Sequence, residues 1–496
     1  MHMTMRIVIL GIIALTAGTA AALDFPEHVE KVNLSRGVAV TMALLKNIDL
    51  RVEALNSSMA ETDAARSWGI YNPVLGITST GGVSSVPGDP FFLSRNSTTT
   101  LGLSQLIPTG GTISATTQAG FTNADTEGFA STKEWQSSVG ITISQPLLKN
   151  AGKETTELSI SLAANTLQDS LERYRLFISD TVLSVITTYN HLYSLQQGLE
   201  SRVAAVDSAQ KLLEEISKRA KPGPLQAMEK ANVEFAIAQR RKDLIEAYRN
   251  VRDQEASLRY LIGLESKAQI IPMDPPARDE PKETEEQVIK EAMESRSDLK
   301  QLRLALQTSE LQERVTRHQS LPDLSLTGSG GLSGTGGNFG NSFRQMGEHP
   351  ATYWTAGMQF NLPLGNTVAE NDYRRSKIRT EQAKYQVRAL EWRVRNDVEA
   401  DLRALISARL QLQTADKSLQ YATQRLDEYH KNSRLGTATI QDVLNAENDF
   451  TAARLSQLDA SEAFANGVSK LWRDAGVLLE RHNIRLDTSH PGKLTE

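Results

Sequence analysis

The sequence predicts a mixed α and β membrane protein, built as a duplicated repeat. Short amphipathic strands shared between copies close a transmembrane barrel, and long helices continue its wall. Three observations carry this expectation. The chain repeats itself: Asp49-Leu50 returns as Asp298-Leu299 and Pro73 as Pro322, both 249 residues later, and PVLGITSTGGVS (73–84) matches PDLSLTGSGGLS (322–333) at six of twelve positions. Two stretches, 147–221 and 366–435, lack proline and almost lack glycine. The segments before them alternate apolar and small or polar residues with period two.

The repeat sets the domain plan. VGITISQPL (139–147) matches AGMQFNLPL (356–364) at an offset of 217, and LQAMEKAN (225–232) aligns with IQDVLNAE (440–447) at 215. Residues 23–264 form the first repeat, with β hairpins over about 71–147, a long helix over about 150–219 and a helix over about 225–262. Residues 284–480 form the second, with a hairpin over about 322–364, a long helix over about 366–434 and a helix over about 438–478. Residues 265–283, containing PMDPPARDEP, read as a proline-rich linker, and 481–496 as a polar, poorly ordered tail. The offset falls by 32 residues within the strand region, enough for one additional hairpin in the first half.

Arg6 and the apolar run IVILGIIAL, ending in Ala20-Ala21-Ala22, read as a signal peptide over residues 1–22. No later segment is apolar enough for a transmembrane helix. The formal charge of −5, without a basic block, speaks against nucleic acid, and the absence of cysteine excludes disulfides and thiol chemistry.

The long stretches carry heptads. Leu171, Ile178, Val185, Leu192, Leu199, Val206 and Leu213 recur every seven residues, while Leu405, Ala408, Leu412, Ala415, Leu419, Ala422, Leu426 and Tyr429 alternate steps of three and four. Such seams form left-handed coiled coils, and alanine layers let helices approach closely. In the strands, Val139, Ile141 and Ile143 oppose Gly140, Thr142 and Ser144; Trp354, Ala356, Met358 and Phe360 oppose Thr355, Gly357 and Gln359. One apolar face and one polar face fit a wall between lipid and water. Trp135, Tyr353 and Trp354 read as membrane-interface aromatics. Gly/Ser/Asn-rich segments Val86–Ser97, Asn123–Lys133 and Gly328–Gly347 read as loops. In lipid every backbone group must be paired, and four to six strands are too few to close alone, so copies must share the barrel.

The repeat, the joints Gln145-Pro146-Leu147 and Leu362-Pro363-Leu364, LxxLIGL at 258–264 and SRLGTATIQDVLNAENDFTAARLSQLDA (433–460) resemble TolC-type outer-membrane efflux proteins. The resemblance implies a homotrimer in the outer membrane of a Gram-negative bacterium, with an α-helical barrel crossing the periplasm. It also implies a periplasmic adaptor and an inner-membrane transporter as partners. Leu435, Gly436 and Thr437 match the adaptor-docking tip, for which the first half offers Pro222 and Gly223. Asp442 falls on a pore-entrance carboxylate whose companion one turn on is Asn445. A ring of such carboxylates favours cations; the alternative for Asp442 is a solvated carboxylate at a helix N-terminus. Ala438 and Ser433 replace the family's gate arginine and tyrosine, and Ala227 stands where an aspartate is common.

Scattered histidines, no phosphate loop and no nucleophile elbow indicate no metal, no cofactor and no enzyme. The expected function is a passive exit duct of a tripartite efflux pump for small molecules. The alternatives are a type I protein-secretion channel and, in another class, a periplasmic coiled-coil scaffold.

Overall fold

The computed structural model describes residues 31–86, 89–125, 132–218, 224–266, 268–435, 437–486 and 494–495. The signal peptide, Pro222, Gly223, Gly436 and half of the polar tail (487–493 and 496) lie outside the described residues. In chain order the first half contains β1 (Lys31–Leu34), α1 (Arg36–Lys46), α2 (Ile48–Ser67), β2 (Val74–Val86), β3 (Asp89–Leu106), β4 (Thr112–Asp125), β5 (Thr132–Pro146), α3 (Lys153–Thr156), α4 (Leu158–Lys218) and α5 (Pro224–Ile262). The second half contains β6 (Gln269–Pro272), α6 (Glu285–Ser295), α7 (Ser297–Gln319), β7 (Asp323–Gly336), α8 (Phe339–Glu348), β8 (Ala351–Asn361), α9 (Thr367–Arg434), α10 (Ile440–Asp474) and α11 (Leu478–Arg481).

Duplication is visible in the local chemistry. α1 and α6 each span 11 residues at the 249-residue offset. Each meets its following helix, α2 or α7, at an elbow. At the first elbow Asn47 caps α2, accepting from Leu50 N at 3.0 Å. At the second, Asp298 accepts from Leu299 N at 2.8 Å and pairs with Arg296 at 2.7 Å. Against each elbow rests the end of the helix that closes the repeat. Gly263 (φ +61°) and Gly476 (φ +75°) terminate α5 and α10. Both ends carry the same pair of bonds: Leu264 N to Arg259 O at 3.0 Å, and Val477 N to Trp472 O at 2.9 Å. This is the Schellman closure, in which a left-handed glycine satisfies the last helical carbonyls. A Cβ on Gly263 would lie 2.7 Å from Lys46 O, and one on Gly476 would lie 2.9 Å from Arg296 N.

α4 and α9, of 61 and 68 residues, extend roughly 90 and 100 Å at 1.5 Å per residue. Helices pack side by side in the order α2–α4–α7–α9 on the strand side and α5–α4–α10–α9 toward the tip. The seams bury Ile178, Val185, Leu192 and Val206 on α4 and Leu405, Leu412 and Ala415 on α9. At the waist, Tyr189 donates to Leu34 O and accepts from Asp274 N, both at 2.9 Å, tying α4 to the C-terminal end of the parallel β1–β6 pair. β6 pairs parallel with β1 inside the stretch read as a linker. That reading missed the strand because it is only four residues long; Ile270 is fully buried there.

The remaining strands form one antiparallel sheet in the order β2-β3-β4-β5-β7-β8. β5 joins the halves by pairing with β7, and the pairing continues past Pro146 through Leu147 N to Leu324 O at 2.7 Å. Two segments read as loops belong to strands: β3 starts at Asp89, and β7 runs to Gly336 before α8. Their Ser, Thr, Asn and Gly residues look like turns by composition, yet the strands stay paired over 11 to 18 residues, more than the about 9–11 that a membrane strand needs.

Gly263→Ala and Gly476→Ala are each expected to destabilise the protein by about 1–3 kcal/mol, combining left-handed strain with a backbone clash. The shift of the urea midpoint against wild type checks this.

Candidate functional site

The tip is built around the start of α10. Thr437 donates from both its N and its hydroxyl to Asn432 O, at 2.9 and 3.1 Å, which turns the chain out of α9. Leu435 stands exposed at that turn. Asp442 closes a capping box with Thr439: its carboxylate accepts from Thr439 N at 3.0 Å and from the hydroxyl at 2.6 Å. The hydroxyl first, and the backbone N–H second, hold its pKa below the usual carboxylate value, so it is an anion at neutral pH. Asn445 follows on the exposed side of α10, accepting from Gln441 at 3.1 Å. Asp449, one turn further, pairs with Arg425 of α9 at 2.8 Å.

Behind this surface lies a charged pair that the sequence reading did not single out. Arg240 of α5 and Glu447 of α10 meet at 2.7 Å, with side chains 10% and 7% exposed. Arg240 also donates to Ala205 O of α4 at 2.7 Å and to Asn448 at 3.0 Å, and Ser208 donates to Glu447. Three helices are thus pinned together at one place. Its sequence signal is a charge at core-facing helical positions in both repeats. Breaking such a pair strands a buried charge. Arg240→Ala is therefore expected to cost about 3–5 kcal/mol, and the double replacement Arg240→Met with Glu447→Leu to recover most of it, read from thermal unfolding.

A second polar cluster occupies the waist between α9 and α10. Asp401, 6% exposed, accepts from Lys470, whose ammonium also lies 3.9 Å from the Asp474 carboxylate. Asp474 also accepts from Arg473 at 2.6 Å, and Arg473 reaches Asp180 of α4 at 2.6 Å. Burial first and the Asp474 carboxylate second push the Asp401 pKa up to about 6, against the pull of Lys470. The folded protein therefore holds this proton to a higher pH than the unfolded chain does. The contribution of Asp401 to stability declines as pH rises from about 4 to about 6 and is flat above. In Asp401→Asn this part of the pH slope of Tm should vanish; equal slopes for both proteins would contradict the assignment.

The sheet has two chemically distinct faces. Register places Leu75, Ile77, Leu101, Leu103, Ile113, Val139, Ile141, Ile143, Leu326, Leu332, Met358 and Phe360 on one face. The other carries serine, threonine, glycine and glutamine. The apolar face lies bare: Ile77 is 71% exposed and Trp354 82%. Trp135 shares it, 5.0 Å from the Phe121 ring. Tyr353 does not. Its hydroxyl lies against Gly140 and Gly331 on the polar face, where a Cβ on either glycine would collide with it. Adjacent strand residues alternate sides, so Tyr353 and Trp354 cannot share one. At the opposite end of the sheet, exposed Trp68 precedes β2 and Tyr71 donates to Glu157 at 3.0 Å, an aromatic level the sequence reading passed over. Among the described residues no cluster of His, Asp and Glu could hold a metal ion, and no helix is long and apolar enough to cross a membrane.

Residues 288–474 match the sequence profile of outer membrane efflux proteins. No curated protein sequence matches the chain. Among solved structures, the open-state MtrE outer membrane channel of Neisseria gonorrhoeae is similar at 16% identity and a TM-score of 0.66, covering 89% of each chain. The CmeC outer membrane channel of Campylobacter jejuni shares 15% identity at a TM-score of 0.65, covering 92% of this chain and 90% of its own. CusC, described for its conformational changes on folding and transmembrane channel formation, shares 16% identity at 0.65, covering 89% and 92%.

Proposed function

We propose that this chain belongs with the outer membrane efflux proteins and is one of three copies that build an exit duct. Their sheets form one barrel in the outer membrane, and their helices form one tube reaching into the periplasm. The observation that carries this reading is that both layers end on the same two bare edges. In the sheet, β2 and β8 each have one partner. In the helical wall, α2 leads into β2 and α9 follows β8, and both expose apolar stripes at helical spacing. On α2 these are Ile48, Val52, Leu55 and Met59; on α9 they are Ile378, Tyr385 and Trp392, seven residues apart and up to 76% exposed. Toward the tip, α5 exposes Met228 and Phe235 at the same spacing. A second copy supplies what each edge lacks: a strand for β2 and a heptad seam for α2 and α5.

Three copies give eighteen strands, a size that leaves a water-filled lumen. The small and polar face lines that lumen and the apolar face meets lipid, with Trp135 and Trp354 near the distal interface and Trp68 near the proximal one. Asp442 and Asn445 face the axis at the periplasmic entrance, and Leu435 with Thr437 forms part of the surface offered to a periplasmic adaptor. An inner-membrane transporter supplies energy, and the duct conducts small molecules passively. A coiled-coil scaffold would have no use for the bare apolar sheet.

Purified full-length protein is expected to run as a trimer by light scattering and to conduct in planar bilayers. Trp392→Asp should yield monomers, and a conducting monomer or a non-conducting trimer would refute the duct. In the conducting protein, Asp442→Ala should weaken block by multivalent cations; an unchanged recording removes Asp442 from the pore.

A further inference from the structure

α8 is a ten-residue helix laid on the apolar face of the sheet, over β5 and β7. Neither of these is an edge strand. Its seat is specific. Ser342 meets the buried Ser137 at 2.8 Å, and Gln345 accepts from Thr335 N at 2.7 Å. β7 makes room with Gly334 and Gly336, where a Cβ would come within 2.4 and 2.6 Å of the Ser342 backbone. Ser342 and Met346 face the sheet and are buried.

The flank of α8 next to its seated face displays Phe339 and Phe343, about half exposed and one turn apart. Their rings continue an aromatic series on the sheet: Phe121 to Trp135 at 5.0 Å, Trp135 to Phe339 at 6.0 Å and Phe339 to Phe343 at 6.1 Å. One step beyond Phe121 and Trp135, on the same face, the register aligns Arg95, Asn123 and Lys133 in a row. Arg95 and Lys133 are exposed, as is Arg344 on α8, which donates to Asn341 at 3.0 Å. Glu348 is the acidic residue of α8.

Across β3, β4 and β5 the face therefore passes from aliphatic residues to the Phe121–Trp135 pair and then to the row that holds Arg95 and Lys133. From Ile143 to Trp135 is eight residues, ~27 Å along the strand and ~20 Å along the membrane normal at a tilt of about 40°. The cations thus fall just past an apolar band of about 25 Å, at the depth of lipid headgroups. A helix seated on the sheet with two half-exposed phenylalanines along its flank has the form of an interfacial anchor.

We propose that α8 and the Arg95–Lys133 row form a lipid-binding surface for the phosphorylated glycolipid of the outer leaflet. Phe339 and Phe343 enter the acyl layer, while Arg95, Lys133 and Arg344 hold its phosphates. The inference rests on the barrel reading above and adds a specific lipid to it.

The test uses the full-length trimer with diphosphorylated lipid A, dephosphorylated lipid A or phosphatidylcholine, and native mass spectrometry reads the lipid retained. Diphosphorylated lipid A should be retained most, and K133A/R344A should lose it by about tenfold or more, given about 1 kcal/mol per cation near a charged surface. Because the chain has no cysteine, Phe343→Cys carries a single spin label. In bilayers that label should be more accessible to oxygen than to a water-soluble nickel complex. Equal retention by wild type and K133A/R344A, or a label at least as accessible to the nickel complex as to oxygen, overturns the inference while trimers that still conduct leave the duct intact. A protein that forms no conducting trimer fails at the duct itself, and the inference falls with it.

Discussion

A strand edge in a hydrocarbon medium has nowhere to place its amide hydrogens and carbonyl oxygens, and an unpaired group there costs several kcal/mol. The rest of this molecule follows from that constraint. Its sheet is apolar on one face and polar on the other, so the apolar face seeks lipid. Six strands with two open edges cannot seal themselves. The helices inherit the problem because the chain passes directly from α2 into the β2 edge and from the β8 edge into α9. In the proposed duct their exposed heptads are the aqueous counterpart of the unpaired strands, and one neighbour would satisfy both.

Duplication makes such a wall economical to build. Two repeats with the same elbow, the same left-handed closing glycine and the same strand–helix joint give a quasi-symmetric wall, and β5 pairing with β7 fuses them. The halves diverge where they meet different surroundings. The first carries β3 and β4, which widen the sheet by a hairpin. The second carries α8, which lies on the apolar face of the sheet. Charges inside the wall are few and paired across helices, as with Arg240 and Glu447, so the core stays compatible with long, regular seams.

Much of this plan was legible in the chain. Period-two alternation in 139–143 and 354–360 exposed the amphipathic strands, and proline-free heptads marked α4 and α9. Composition failed at the strand tips: residues 89–97 and 328–336 look like loop, but register with a paired neighbour, which no single segment reveals, makes them strand. The side taken by Tyr353 followed from alternation, yet its aromatic type pulled it toward the membrane interface. Contact with Gly140 and Gly331 puts it across from Trp354. β6 was too short to read, and α8 lay hidden in a glycine-rich stretch because its signal is the placement of Phe339, Phe343 and Met346 rather than its composition. At the tip, the sequence left Asp442 between a pore role and a solvated carboxylate at a helix N-terminus; the capping box it forms with Thr439 puts it at that N-terminus.

The most direct measurement of the edge constraint is disulfide cross-linking between β2 and β8. The chain contains no cysteine, so one introduced on β2 and one scanned along β8 report only on each other. Linkage between chains, closing into covalent trimers, is the result this account predicts. Linkage within one chain, or none anywhere along β8 in a folded membrane-inserted protein, would show that the sheet seals without its neighbours and would contradict it.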